Sequence, residues 1–109
     1  MDPILVITNI PDKTTALKLA EELISKKLAA CVSLQAECTS IYRWQDKMET
    51  TSELPVFIKT LAEHYAEIEK IIIKIHPGEL PEIISVSISG GLPAYLQWIS
   101  DETATSNKN

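Results

Sequence analysis

Apolar positions along this chain follow two rhythms, one with a period near 3.6 and one with a period of two, and the two alternate. Ile4, Leu5, Val6 and Ile7 are apolar in succession within Pro3–Asn9, which predicts a short strand buried on both faces. Asp12 and Thr14 then stand as caps before Thr15–Leu28, where Ala16, Leu17, Leu19, Ala20, Leu23, Ile24 and Leu28 recur at helical spacing. Ala30–Trp44 reads as one long strand or two collinear ones, losing phase at Ala36-Glu37-Cys38, where a bulge or bend fits. Gln45-Asp46-Lys47 turns the chain, and Met48–Thr60 returns with Leu54, Val56 and Ile58 on one face and Phe57 on the other.

Thr60-Leu61-Ala62-Glu63 has capping-box spacing and predicts the start of a second helix. Leu61, Tyr65, Ile68, Ile71, Ile72 and Ile75 mark its buried stripe, with His64 beside it as a surface residue, and His76-Pro77-Gly78 stops it. Glu82–Ser89 alternates cleanly, Ile84, Val86 and Ile88 against Ser85, Ser87 and Ser89. Gly90-Gly91 breaks that strand, and Pro93 begins a short helix holding Tyr95, Leu96, Trp98 and Ile99. Residues 1–102 form one domain, and 103–109 are a polar, frayed tail.

The order strand-helix-strand-strand-helix-strand is the split βαβ, a ferredoxin-like α/β (α+β) sandwich with a long central hairpin and a short C-terminal helix. Such a sheet carries both helices on one face. The serines of the last strand are assigned to the open face, but the first and third strands must place apolar side chains there, including Phe57. Exposing several such groups at roughly 1.5–3 kcal/mol each points to a second copy of the chain as cover. The hairpin also outruns the flanking strands, leaving unpaired edges, and Tyr42 and Trp44 near its tip are residues of an interfacial kind.

Composition narrows the partners. A net charge of −5 with no basic stripe argues against nucleic acid. No run nears the ~20 apolar residues of a membrane span, and the start lacks the features of a signal peptide, so a cytoplasmic location is expected. Cys31 and Cys38, seven residues apart on one strand, would be about 23 Å from each other, too far for a disulfide, and their spacing fits no zinc motif.

The polar segment that stands out is His76-Pro77-Gly78-Glu79-Leu80-Pro81-Glu82. Imidazole with carboxylates can hold a metal or move protons, but the segment alone supplies too few ligands, and a rigid helix-to-strand connection explains it better. There is no glycine-rich phosphate loop and no nucleophile elbow. An enzyme would have to use His76 as acid or base with Glu79 orienting it.

Taken in order, Ala29-Ala30-Cys31-Val32, Ile41-Tyr42-Arg43-Trp44 with Lys47, Lys59-Thr60, His76-Pro77-x-Glu79-x-Pro81-Glu82-Ile83, Tyr95 and Trp98 resemble the CutA divalent-cation-tolerance family. The resemblance implies a tight homotrimer whose hairpins pair between subunits, much as in the PII signalling proteins. It also implies an association with copper and other divalent ions. Its inter-subunit clefts, which would take a metal ion or a small anionic ligand, would be lined by Tyr42, Trp44, Lys59, Glu79, Glu82 and Trp98, with His76 as the metal ligand. Lys59 opposite Glu79 or Glu82 would form a charge pair. A trimeric scaffold with no metal role is the alternative. The chain departs from the family's pattern at Gly78, where tyrosine is common, at Asp46, where glycine is usual, and at Val6-Ile7-Thr8-Asn9, which lacks a thiol that some members use for copper.

Overall fold

The structure, a computed structural model, describes residues 2–104. Strand β1 (Pro3–Ile10) lies inside the sheet, where a run apolar on both faces has to lie. Helix α1 (Lys13–Ser25) follows, then β2 (Cys31–Leu34), β3 (Cys38–Trp44) and β4 (Lys47–Leu61). A 3-10 turn (Ala62–His64) leads into α2 (Tyr65–Ile75), and β5 (Ile83–Ser87) and α3 (Pro93–Glu102) complete the described chain. The sheet order is β2-β4-β1-β5 with every pair antiparallel, the expected ferredoxin-like arrangement.

Of the two readings for Ala30–Trp44, the structure takes the two-strand one, with the break at 35–37. β2 pairs with Val56–Lys59 of β4, whereas β3 pairs with Lys47–Glu53, beyond the reach of β1. The hairpin therefore projects from the body by about 24 Å, seven residues at strand rise. It closes in two residues, Gln45 (φ 51°) and Asp46 (φ 65°), whose left-handed backbone matches strand twist. Cys31 lies opposite Lys59 and Cys38 opposite Glu53, roughly 20 Å apart along β4, and both thiols are free.

Ile4, Val6 and Ile10 of β1 with Val56 and Ile58 of β4 face the helices, where Ala16, Leu19 and Leu23 of α1 and Ile68, Ile71 and Ile72 of α2 cover them. Asp12 caps α1, its carboxylate accepting the Thr15 N–H at 2.8 Å. That bond, with the Thr15 hydroxyl, holds the Asp12 carboxyl below its usual range. The cap therefore stabilises above the ordinary carboxylate range and is lost as pH falls through the lowered value.

Helix α1 stops three residues before Leu28, the end that its apolar period suggests. The Lys27 N–H donates to Ile24 O and the Leu28 N–H to Leu23 O, the paired bonds of a Schellman cap, with Lys27 at φ 58°. Lysine in that conformation is strained where glycine is not. Lys27→Gly is expected to stabilise the fold by about 1 kcal/mol, read as a higher urea midpoint at unchanged m; an unchanged midpoint would show that the strain is absent.

Four further expectations are corrected. Thr60 is no helix cap: it remains in β4, fully buried, and its hydroxyl donates to Leu28 O. His64 is not a surface residue but 8% exposed, the last residue of the 3-10 turn, and its Nε2 has no hydrogen-bond partner among the described residues. Ser85 and Ser87 are not on the open face, because Val86 pairs with Leu5 and Ile84 with Ile7. Ile84 and Val86, each 48% exposed, are the residues that face outward beside Leu5 and Ile7. Thr103 is no frayed residue: it is buried, and its hydroxyl donates to Ile99 O at 2.9 Å. Residues 105–109, the rest of the expected tail, lie outside the described residues.

Helix α3 packs on β4 and β1. Leu61 shares a sheet face with Phe57 and Lys59, yet is only 6% exposed and stands apart from the main core, as does buried Ile99. The short helix thus roofs one end of the open face and leaves the Ile84–Val86 end uncovered.

Candidate functional site

The segment from His76 to Glu82 meets the end of β1 at Asn9. This asparagine is buried on the open side of the sheet, so its amide has to find partners. Its Nδ2 donates to Glu82 Oε1 at 2.9 Å, and its backbone carbonyl oxygen lies 3.0 Å from His76 Nε2. The Gly78 N–H donates to His76 Nδ1 at 2.9 Å. An Nδ1 that accepts leaves the proton on Nε2, which therefore donates to Asn9 O. Both ring nitrogens are in use. Asn9 escaped the sequence reading; the signal was a polar amide ending a strand that is otherwise apolar.

Gly78 makes this latch possible. A Cβ there would stand 2.9 Å from His76 Cε1 and 3.2 Å from Nδ1, so any side chain displaces the ring. Gly78→Ala is expected to cost about 1–2 kcal/mol, the worth of the hydrogen bonds lost. In a His76→Ala background the cost should shrink to a few tenths; equal costs in both backgrounds would show that the ring does not move.

The charge pair expected of Lys59 in a cleft between subunits is not formed within the single chain. Among the described residues Lys59 bridges neither Glu79 nor Glu82. Its Nζ lies 3.4 Å from Ser33 Oγ and 3.8 Å from Cys31 Sγ, its neighbours across the β2–β4 pairing. Glu79 is exposed in the connecting loop. Trp98 stands on α3 against Tyr95, ring centroids 5.4 Å apart. Tyr42 and Trp44 sit near the hairpin tip, Tyr42 sharing a 2.8 Å hydrogen bond with Thr51. Tyr42 faces Glu49, ten residues or roughly 34 Å along β4 from Lys59. One chain therefore brings His76 and Glu82 together through Asn9 and leaves the hairpin aromatics, Lys59 and Trp98 in separate places.

A divalent ion finds no ready seat here. Among the described residues no group of three or more histidine, cysteine or carboxylate side chains converges, and the one candidate imidazole already spends both nitrogens. The donor set of a single chain does not fit a metal centre. No helix among the described residues is long and apolar enough to cross a membrane.

Residues 4–102 match the family model described as CutA1 divalent ion tolerance protein. A divalent-cation tolerance protein CutA from Thermus thermophilus is 33% identical over 103 residues, 94% of this chain and 99% of that protein. A CutA homolog from Xenopus laevis is 38% identical over 91 residues, 84% of this chain but 60% of the longer relative; the chain spans about half, 52%, of the mouse relative. Among solved structures, CutA from Xylella fastidiosa superposes with a TM-score of 0.90 at 40% identity, covering 95% of this chain and 100% of that one.

Proposed function

The chain belongs to the CutA1 divalent ion tolerance protein family, and from that premise we propose that it works as a cytoplasmic homotrimeric binding protein serving tolerance to divalent metals, copper among them. Its ligand, a metal ion or a small anion, sits in clefts between subunits. The observation that supports this reading is the scatter of Tyr42, Trp44, Lys59 and the His76–Glu82 segment over one chain, which a neighbouring subunit would bring together. The half-covered apolar face and the unpaired edges of the hairpin support the same assembly. In the cleft Tyr42, Trp44 and Trp98 would supply aromatic walls, Lys59 a cation, Glu79 and Glu82 carboxylates, and His76 the metal-facing imidazole once its latch opens.

A second reading is a trimeric scaffold with no metal role. It is favoured by the full hydrogen bonding of both His76 nitrogens. Two measurements separate the cases. Sedimentation at micromolar concentration should show one species at three times 12.1 kDa; a monomer would overturn the assembly. Calorimetry of metal-free protein should show copper or zinc binding more tightly to the wild type than to His76→Ala; equal affinities would leave the scaffold.

A further inference from the structure

On the helical side of the sheet, α1 and α2 leave a cleft of about 450 Å³. Its floor is Ile71 and Ile75, and its rim is Lys26, Lys70 and Lys74 with Glu22 and Glu67. We propose that this cleft binds a small organic anion carrying two or more negative groups, such as a diphosphate, with its apolar part on the isoleucine floor. The volume falls in the range of small-molecule pockets, roughly 300–1,000 Å³.

Charge is the main argument. The chain has ten basic residues and a net charge of −5, yet three lysines converge on this one cleft. Lys26 is neutralised by Glu22 at 2.7 Å. Lys70 and Lys74 are not: they stand one turn apart on α2, where like charges repel, and neither makes an ion pair among the described residues. Helix dipoles account for Lys26 and Lys74 near helix C-termini but not for Lys70 in mid-helix. A dianion between Lys70 and Lys74 relieves that repulsion. Glu67 on the same rim repels further negative charge and suits a hydroxyl or amine of the ligand's body. Because the protein as a whole repels anions, only these local charges can hold one, and binding should weaken steeply with salt. The cleft lies on the helix side of the sheet, opposite the apolar face of Ile84 and Val86.

The test is an amide NMR titration of the full chain with pyrophosphate, against sodium chloride at matched ionic strength. Shifts confined to the C-terminal half of α1 and to α2 are expected. Lys70→Gln/Lys74→Gln should weaken binding at least fivefold, whereas Lys70→Arg/Lys74→Arg should retain it. Lys13→Gln/Lys18→Gln, which removes two lysines of α1 outside the cleft, should change nothing. Shifts spread over the surface, or an affinity unmoved by the double glutamine variant, would overturn the site.

Discussion

Replacing Ile84 and Val86 together by aspartate is expected to leave a folded chain that sediments at 12.1 kDa instead of three times that mass. Each side chain is about half exposed in the single subunit, so covering the rest contributes only roughly 1 kcal/mol per residue. The larger effect comes from the carboxylates. Two per subunit, pressed against Leu5 and Ile7 while the amine of Lys59 on that face is turned to Ser33 and Cys31, would be desolvated on assembly at a cost of several kcal/mol each. Dissociated, the same carboxylates are in water, and the helix-side core is untouched, so far-UV circular dichroism should match the wild type. Ile84→Ser/Val86→Ser, without the charge, should weaken assembly less. If the aspartate variant stays at the trimer mass, the open face is not where subunits meet.

Ile58→Ala is expected to be the most damaging single truncation in the fold, at about 3–4 kcal/mol. Ile58 lies directly opposite Val6 on one side and Val32 on the other, and it is fully buried beneath α1 and α2. A cavity under the middle of a sheet cannot close unless strands shift that are pinned on both edges. For a domain near 100 residues, each kcal/mol lowers Tm by about 4–8 °C, so the loss should be plain in a thermal scan at matched protein concentration. Met48→Ala, on the projecting arm and 78% exposed in the single chain, serves as the contrast in urea at a dilution where subunits separate: its cost should be within a few tenths of a kcal/mol. Similar losses at the two positions would mean that the helix-side core is not what holds the fold.

The fold was legible because each element carries its own period. Helices α1 and α2 and strands β1 and β5 overlap the stretches that the apolar spacing marks, although α1 ends three residues early, α2 opens at Tyr65 after a 3-10 turn, and β5 is confined to Ile83–Ser87. What local pattern could not settle was orientation. Ile84-Ser85-Val86-Ser87 alternates equally well with either set outward; only the pairing of Leu5 with Val86 decides, and a slip of one residue would reverse it. His64 was misread because the helical stripe was extended back through a 3-10 turn, whose side chains follow a different angular step. Thr60 had the spacing of a cap, but the β4 ladder claimed it first.

At the site the limit was distance along the chain. The motif His76-x-x-Glu79-x-x-Glu82 could be read locally, but its anchor is Asn9, 67 residues from His76. Nothing in the spacing announces that contact. Within one chain the Lys59 amine turns to its strand neighbours Ser33 and Cys31, a pairing set by the β2–β4 register and not by local spacing.

β4 is continuous from Lys47 to Leu61, yet its two halves live in different company. From Leu54 onward it pairs with β1, is flanked by β2 over Val56–Lys59 and is covered by helices; from Lys47 to Glu53 its one strand partner among the described residues is β3. A two-stranded ribbon of that kind is marginal by itself, whereas the clamped half opens only with the whole domain. A single strand thus spans two cooperative units, and their boundary falls at the Glu53–Leu54 peptide. Newly made chains can therefore finish folding their bodies while the arms still fray.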